Sequence, residues 1–159
     1  MKKAILANPY ITHSAVASTV GLVIVKAGDR TNAMTVSFFS EAAHHPTSLW
    51  VSIARTTYTH RLIDEAGGQF SLIVLHRKQR QIALACGSVS GRDRDKCASL
   101  SLYKGPEGFL FLAGALSSTA CRVRQSATLD EYTLFIADII RGEVESRTSH
   151  LRPLLLSDF

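Results

Sequence analysis

The chain has 159 residues, of which 46% are hydrophobic and 19% are charged, and this composition excludes an intrinsically disordered protein. The length suits a single domain over residues 1–159, because two independent cores would be cramped. Lysine and arginine outnumber aspartate and glutamate by 18 to 13. The whole surplus of five lies within residues 77–104, which hold seven basic and two acidic residues. Such a local surplus indicates an anionic partner at one place on the surface.

The distribution of apolar residues and cysteines argues against membrane proteins and disulfide-stabilised proteins. No apolar run approaches the roughly 20 residues that span a bilayer, and the first apolar stretch is too short for a signal peptide. Cys86, Cys97 and Cys121 are widely spaced and form no CxxC pair, which fits a reducing compartment and provides no zinc spacing. We therefore expect a cytoplasmic protein with no membrane or metal partner.

The first half of the chain predicts short strands and one helix. Runs rich in β-branched and apolar residues predict strands at 19–26, 32–40, 49–54 and 70–75. The first strand ends at Gly28-Asp29, a plausible hairpin turn. Residues 58–66 predict a helix that Thr56 or Thr57 can cap.

The second half predicts two short helices followed by a long hairpin. The predicted helices are 79–86 and 95–100, separated by a polar loop at 87–93, with a turn at 105–108. Strands are predicted at 116–126 and 132–141, joined by 127–131. Residues 134–137 are apolar on both faces and should be central. At least six strands with short helices between them predict a mainly β protein, an antiparallel Greek-key barrel with its core at 19–141.

The tail at 146–159 has no clear strand pattern. Its leucines at 154–156 and Phe159 would be costly to leave in water. We therefore expect the tail to pack on the barrel or on a second subunit.

Three segments are candidates for binding, and the first is residues 32–38. Hydroxyl residues alternate there with apolar ones, so that one face of a strand could present Thr35, Ser37 and backbone amides to a flat polar ring. The alternative is an edge strand with a polar outer face.

The second candidate is residues 52–60, where a strand ends in hydroxyl residues and Arg55 just before a helix. Helix N-terminal amides, hydroxyls and a guanidinium together suit a phosphate. The alternative is ordinary helix capping by Thr56 or Thr57 with Arg55 in solvent.

The third candidate is residues 87–96, in which two serines and two glycines could direct N–H groups at an anion before three basic residues. The alternative is a flexible surface loop with alternating charges. No nucleophile can be nominated from the order of the residues, and Asp130-Glu131 in the last hairpin turn suits a solvated turn. We therefore predict no catalytic residue.

Four segments in this order, 32–40, 51–63, 85–96 and 132–139, resemble the flavin reductase-like family of FMN-binding split barrels. The resemblance covers most of the chain. It implies a six-stranded antiparallel Greek-key split barrel with short flanking helices. It also implies a homodimer with FMN near the subunit interface.

The same resemblance implies the cofactor-binding residues. The residues that line the isoalloxazine ring would be Asn32, Ala33, Met34, Thr35, Val36 and Ser37, with Phe38 where the family often has a tryptophan. Those around the ribityl chain and phosphate would be Ser52, Ile53, Ala54, Arg55, Tyr58 and Thr59. Those that close over the phosphate would be Ser88, Ser90, Gly91 and Lys96.

One departure from the family pattern leaves the electron donor open. Family reductases commonly have Gly-Asp-His in the last hairpin, whereas this chain has Leu129-Asp130-Glu131, and Glu131 would repel a nearby dinucleotide phosphate. The first hypothesis is a flavin reductase that passes a hydride from NADH or NADPH to flavin N5. The alternative is an electron-transfer flavoprotein reduced by an acidic redox protein docked on residues 77–104. A nucleic-acid-binding barrel is a third alternative, disfavoured because its aromatic residues do not alternate with basic ones.

Overall fold

The computed structural model describes residues 18–148 and 150–159. Its strands are β1 (Gly21–Ala27), β2 (Arg30–Val36), β3 (Phe39–His44), β4 (Thr47–Ala54), β5 (Gln69–Val74), β6 (Leu102–Lys104), β7 (Leu110–Leu112), β8 (Ser117–Leu129) and β9 (Tyr132–Val144). The α-helices are α1 (Tyr58–Glu65) and α2 (Arg80–Gly87), and short 3₁₀ turns precede or follow several elements. Among these residues, no helix is long and apolar enough to cross a bilayer.

Seven of the strands form one antiparallel sheet in the order β2-β1-β5-β8-β9-β4-β3. β2 and β3 are the outermost strands of this order, yet only residues 37 and 38 separate them in the chain. Two residues cannot span an open seven-stranded sheet, so the sheet must curl until its edge strands β2 and β3 lie near each other, although the two do not pair. The ring of Phe39 in β3 accordingly lies against the backbone of Gly21 in β1.

The curled sheet has a core on each of its faces. The inner core contains buried residues from β1, β4, β5, β9 and α1, including Val23, Val51, Leu62, Phe70 and Phe135. The outer core lies between β1, β5 and the elements packed on them, which are α2, the β6–β7 pair and the tail. Its buried residues include Leu22, Ile73, Ala83, Phe111 and Leu154. Burial of both faces explains why β1 and β5 have near-continuous apolar runs.

The mainly β antiparallel barrel fold is confirmed, with seven strands in the main sheet where six were expected. The single strand predicted over 32–40 is wrong, because β2 ends at Val36 and β3 begins at Phe39. Polar–apolar alternation continues across residues 37 and 38, so nothing in the local pattern shows that the chain passes there from one sheet edge to the other.

Two further local predictions differ from the structure. The helix predicted at 95–100 is only a 3₁₀ turn, Cys97–Ser99. The Asp95 carboxylate accepts the N–H groups of Cys97 and Ala98 at 2.9 and 3.2 Å, and this turn competes with a longer helix. The short β6–β7 pair around the turn at 105–108 was not predicted, since three-residue strands have no measurable period.

Candidate functional site

The free edge of β2 is the centre of the candidate site. Within the described residues no strand pairs with that edge, so its N–H and C=O groups can meet a ligand. A cavity of about 320 Å³ lies beside it, and we call it the polar cavity. Its lining residues are Asn32, Met34, Thr56, Thr57, Tyr58, Thr59, Cys86, Gly87, Ser88, Val89, Ser90, Gly91, Arg92 and Lys96.

Asn32 places an incompletely bonded amide at the polar cavity. It is 2% exposed, and its Nδ2 donates to the Thr59 hydroxyl at 2.8 Å. Its Oδ1 is buried without a hydrogen-bond partner in the described part of the chain. Because the Thr59 hydroxyl is a single partner, either orientation of the amide leaves one polar atom unpaired. A buried unpaired amide atom is costly, so it marks a place where a ligand could complete the bonding.

Gly91 brings the 87–96 loop onto Asn32. A β-carbon at position 91 would overlap the Asn32 side-chain oxygen and lie 3.0 Å from the Tyr58 ring. Only glycine therefore permits this close approach of the loop to β2 and α1.

Lys96 supplies a buried positive charge. It is 7% exposed, and its Nζ donates to the backbone carbonyl of Cys86 at 2.7 Å. Its ammonium forms an ion pair with none of the carboxylates in the described ranges. Burial lowers the pKa of Lys96 from its ordinary value, since the desolvated ammonium lacks a carboxylate partner. An anion in the cavity would provide that partner.

The first turn of α1 faces the same cavity, because Thr57, Tyr58 and Thr59 all line it. Of the two predicted caps, Thr56 and Thr57, it is Thr57 that caps the helix: its Oγ1 accepts the N–H of His60 at 3.2 Å and donates to the Ala54 carbonyl at 2.8 Å. The positive end of the helix dipole therefore points towards the polar cavity and adds to the positive electrostatic potential that Lys96 creates there.

Basic side chains surround the Tyr58 ring at the mouth of the cavity. The guanidinium carbons of Arg61 and Arg92 lie 5.1 and 5.6 Å from its centroid, and Arg92 also donates to the Thr56 carbonyl at 3.3 Å. Arg92 is exposed, so it can reorient towards an anion at little cost.

A second cavity, also about 320 Å³, lies next to the polar cavity, and Gly87 and Ser88 line both. We call it the apolar cavity. Its other lining residues are Val20, Thr35, Val36, Ser37, Ala83, Leu84, Leu156 and Phe159. The two cavities together form a site with a positive end and an apolar end along β2.

The structure brings most of the sequence-predicted residues to these two cavities. Those at the polar cavity are Asn32, Met34, Tyr58, Thr59, Ser88, Ser90, Gly91 and Lys96. Those at the apolar cavity are Thr35, Val36 and Ser37, together with Ser88. Phe38 and Ser52 instead line an apolar depression on the outside of the barrel.

Four other predicted residues line neither cavity. Ala33 and Ile53 are instead buried in the outer and inner cores. Ala54 and Arg55 follow at the end of β4. Arg55 is exposed, and its N–H donates to the Glu131 carbonyl at 2.9 Å, so this predicted phosphate ligand lies beside the last hairpin turn.

Several lining residues were not among the predicted site residues. Thr56 and Thr57 lie in the hydroxyl-rich candidate segment 52–60, for which helix capping by either residue is the alternative interpretation. Leu156 and Phe159 had no signal in the sequence, since they lie some 60 residues beyond the 87–96 loop. Cys86 also lines the polar cavity, and burial raises the pKa of its thiol, which argues against a thiolate nucleophile.

Comparison with known proteins identifies the family. Residues 13–158 match the model of the flavin reductase like domain. An NADH-dependent FMN reductase, AsuE2, from Streptomyces nodosus subsp. asukaensis is 29% identical over 122 residues, which cover 76% of this chain and 65% of that protein. Across the curated relatives, the aligned part of the chain spans only 65–68% of their length.

Solved structures share the fold at lower identity. An FMN-binding protein from Thermus thermophilus with bound p-hydroxybenzaldehyde superimposes with a TM-score of 0.84 at 23% identity, covering 98% of this chain and 89% of that one. The NADH:FAD oxidoreductase SgcE6 of Streptomyces globisporus C-1027 gives 0.85 at 19% identity, covering 96% and 92%. Because the family model covers nearly the whole sequence, the chain belongs to the flavin reductase-like family.

Proposed function

We propose that this protein is an oxidoreductase that binds FMN along β2 and reduces it with NADH or NADPH. The observation that carries the proposal is the pair of buried, incompletely bonded groups in the polar cavity, the Lys96 ammonium and the Asn32 amide. An anionic group of a ligand would give the Lys96 ammonium a partner, and a hydroxyl or N–H of the same ligand could donate to the Asn32 oxygen.

The polar cavity fits the phosphate end of FMN. A phosphate monoester carries close to two negative charges and prefers cations and oriented N–H donors. Lys96, the N-terminus of α1 and the hydroxyls of Ser88 and Ser90 offer such groups within one cavity. Arg55, the other cation proposed for the phosphate, would have to reach the site from outside the cavity lining.

The apolar cavity and the β2 edge fit the isoalloxazine ring. Its apolar face needs a wall such as Val36 and Ala83, and its polar edge needs a few backbone hydrogen bonds. The free N–H and C=O groups of β2 are an ordered row of such partners. The charged cavity and the apolar cavity, side by side along β2, therefore suit the phosphate end and the ring end of a flavin mononucleotide.

When bound, FMN would supply the hydride acceptor, at flavin N5. The protein's own residues would bind and orient the rings and exclude water, and none would need to act as a general base. The names of the relatives support this reading: one is an NADH-dependent FMN reductase and another an NADH:FAD oxidoreductase.

Anaerobic stopped-flow absorbance tests the proposed reaction. FMN-loaded protein is mixed separately with NADH and with NADPH, and the oxidised-flavin band is followed. We expect one of the two donors to bleach the band during the stopped-flow measurement, with one pyridine nucleotide oxidised for each FMN reduced. A band that survives both donors would overturn the reductase proposal.

A second candidate is an electron-transfer flavoprotein reduced by another protein. The exposed Glu131, whose carbonyl accepts the Arg55 N–H, places a negative charge near a proposed phosphate-binding residue and would disfavour a dinucleotide. Reduction by a ferredoxin that slows as salt rises, with no reduction by either nucleotide, would favour this candidate.

We also propose that the protein is a homodimer formed through the outside of the barrel. An apolar depression of about 450 Å³ lies there, lined by Phe38, Ala42, Trp50, Ser52, Leu129, Leu134 and Ile136. Phe38 and Leu129 are 44% and 50% exposed, and such a patch is costly in water. Phe38 directly follows Ser37 of the apolar cavity, so a second copy on this patch would also lie next to the flavin.

A further inference from the structure

One wall of the apolar cavity comes from the tail segment, residues 150–159. Leu156 and Phe159 line the cavity together with the end of β2 and with Ala83 and Leu84 of α2. Leu156 is 40% exposed and Phe159 47% exposed, so both still offer apolar surface to a ligand.

The backbone of the tail segment is fixed to the barrel. Leu154 is fully buried in the outer core, and its N–H donates to the Leu75 carbonyl at 2.8 Å. Its own carbonyl accepts the Val20 N–H at 2.7 Å, and the Leu156 N–H donates to the Ser18 carbonyl at 2.9 Å. The tail segment thus has a defined position beside β1 and β5.

Charged groups then hold the last turn of the tail segment. The two terminal guanidinium nitrogens of Arg152, Nη1 and Nη2, donate to the Asp158 carboxylate at 2.9 and 2.6 Å, and the Leu155 N–H donates to the same carboxylate. This bonding lowers the pKa of Asp158 to about 2, so the carboxylate remains charged at neutral pH.

Arg80 of α2 connects this turn to the cavity. Its Nε donates to the Asp158 carbonyl at 3.0 Å, and its guanidinium lies 4.9 Å from the centre of the Phe159 ring. The cation–π contact favours this position of the ring, in which it lines the apolar cavity. Arg80 is one of the basic residues in the charged segment 77–104, and its partner here belongs to the protein itself.

We propose that Phe159, positioned by Arg80, is a specificity-determining wall of the flavin-ring pocket and sets how tightly the ring is held. The proposal rests on the proposed function, because the apolar cavity must hold the isoalloxazine ring while the polar cavity holds the phosphate. Gly87 and Ser88 line both cavities, so the two cavities lie next to each other, as a single ligand with a phosphate end and a ring end would require.

Affinities of three variants for two ligands distinguish the contribution of the ring pocket from that of the phosphate site. Lumiflavin has the isoalloxazine ring without the ribityl phosphate, whereas FMN has both. Phe159→Ala should weaken lumiflavin and FMN by the same factor, about fivefold, since it removes apolar contact with the ring only. Lys96→Met should weaken FMN and leave lumiflavin unchanged. Val144→Ala is the control, because Val144 is 72% exposed and lines neither cavity.

The outcomes distinguish this proposal from the proposed function. If the unaltered protein binds FMN but Phe159→Ala and Val144→Ala have the same affinities for both ligands, the proposed role of Phe159 is wrong, while the proposed flavin site is unaffected. If the unaltered protein binds neither ligand, both proposals fall. Arg80→Met is a fourth variant, which retains the Phe159 ring and removes the cation beside it. It should also weaken lumiflavin binding, and unchanged binding would contradict the positioning role of Arg80.

Discussion

At the scale of single residues, the site consists of groups whose bonding the fold leaves incomplete. Lys96 is buried with a single carbonyl partner, and Asn32 is buried with one polar atom unpaired in the described structure. Each arrangement costs folding free energy, because a desolvated charge or amide has lost its water without full replacement. Residues of this kind are typical of binding sites, where a ligand completes the bonding.

Replacement of Lys96 should raise the stability of the ligand-free protein and lower its affinity for FMN. Lys96→Met removes the buried ammonium, so the ligand-free protein should unfold at a higher temperature at pH 7. FMN affinity should fall by about ten- to a hundredfold, the usual value of a charge-assisted hydrogen bond. Differential scanning calorimetry and fluorescence titration measure the two effects. A variant that loses stability and keeps its FMN affinity would contradict this role.

The close approach of the 87–96 loop to Asn32 can be tested at Gly91. Gly91→Ala should displace the loop, since its β-carbon would overlap the Asn32 oxygen, and FMN affinity should fall by about tenfold. Gly142→Ala is the matched control, because the nearest atom to its β-carbon would lie 3.7 Å away. Equal FMN affinities of the two variants, measured by equilibrium titration, would show that the approach is not needed for binding.

At the scale of elements, His76 joins the segment before α2 to the loop before β8. Its Nδ1 accepts the Lys78 N–H at 3.2 Å, and its Nε2 donates to the Gly114 carbonyl at 3.1 Å, an arrangement that requires the neutral ring. Burial lowers the pKa of His76 from its ordinary value. The unfolded chain therefore takes up the proton first as pH falls, and stability is lost in acid.

Substitution of His76 should reduce this acid sensitivity. Wild-type protein should lose unfolding free energy as pH falls below about 6.5, the pKa of an unperturbed histidine. His76→Gln cannot titrate, so its loss between pH 7.5 and pH 5 should be smaller. Urea denaturation at several pH values measures both. Parallel curves for the two proteins would contradict the assignment.

The elements that sequence patterns predicted well are those with strong local signals. The cap at Thr57, the turn at Gly28-Asp29 and the central position of residues 134–137 follow from side-chain chemistry within a few residues. The break at residues 37 and 38 depends on barrel closure, which no local window contains. The 87–96 loop was predicted as a binding segment from its glycines and charges, although its contact with Asn32 depends on tertiary packing.

At the scale of the whole molecule, the exposed apolar patch on the barrel is the surface through which we propose that the protein dimerises. Ile136 lies on β9 within that patch, and Trp50 and Leu134 line the same depression. Ile136→Glu should shift the protein from dimer to monomer, because a carboxylate buried at an apolar interface lacks a partner. Sedimentation velocity measures the change. Gln81→Glu on the exposed face of α2 is the control and should remain dimeric.

The apolar end of the site shows the limit of sequence reasoning at this scale. Residues 32–37 and 88–96 could be nominated because their own chemistry suggests a ligand. The contribution of Leu156 and Phe159 could not, since it arises from the tail's return across the barrel. The basic residues of segment 77–104 also differ in their contacts, because Arg80 donates to the tail while Lys96 lines the polar cavity.

Equilibrium titration of the unaltered protein with FMN and with riboflavin tests the central claim most directly. The two ligands share the ring and ribityl chain and differ only in the phosphate. The account predicts that FMN binds at least about tenfold more tightly and that the difference shrinks as salt rises, because the phosphate meets Lys96 and the N-terminus of α1. Equal affinities for the two flavins, or no binding of FMN, would contradict the claim.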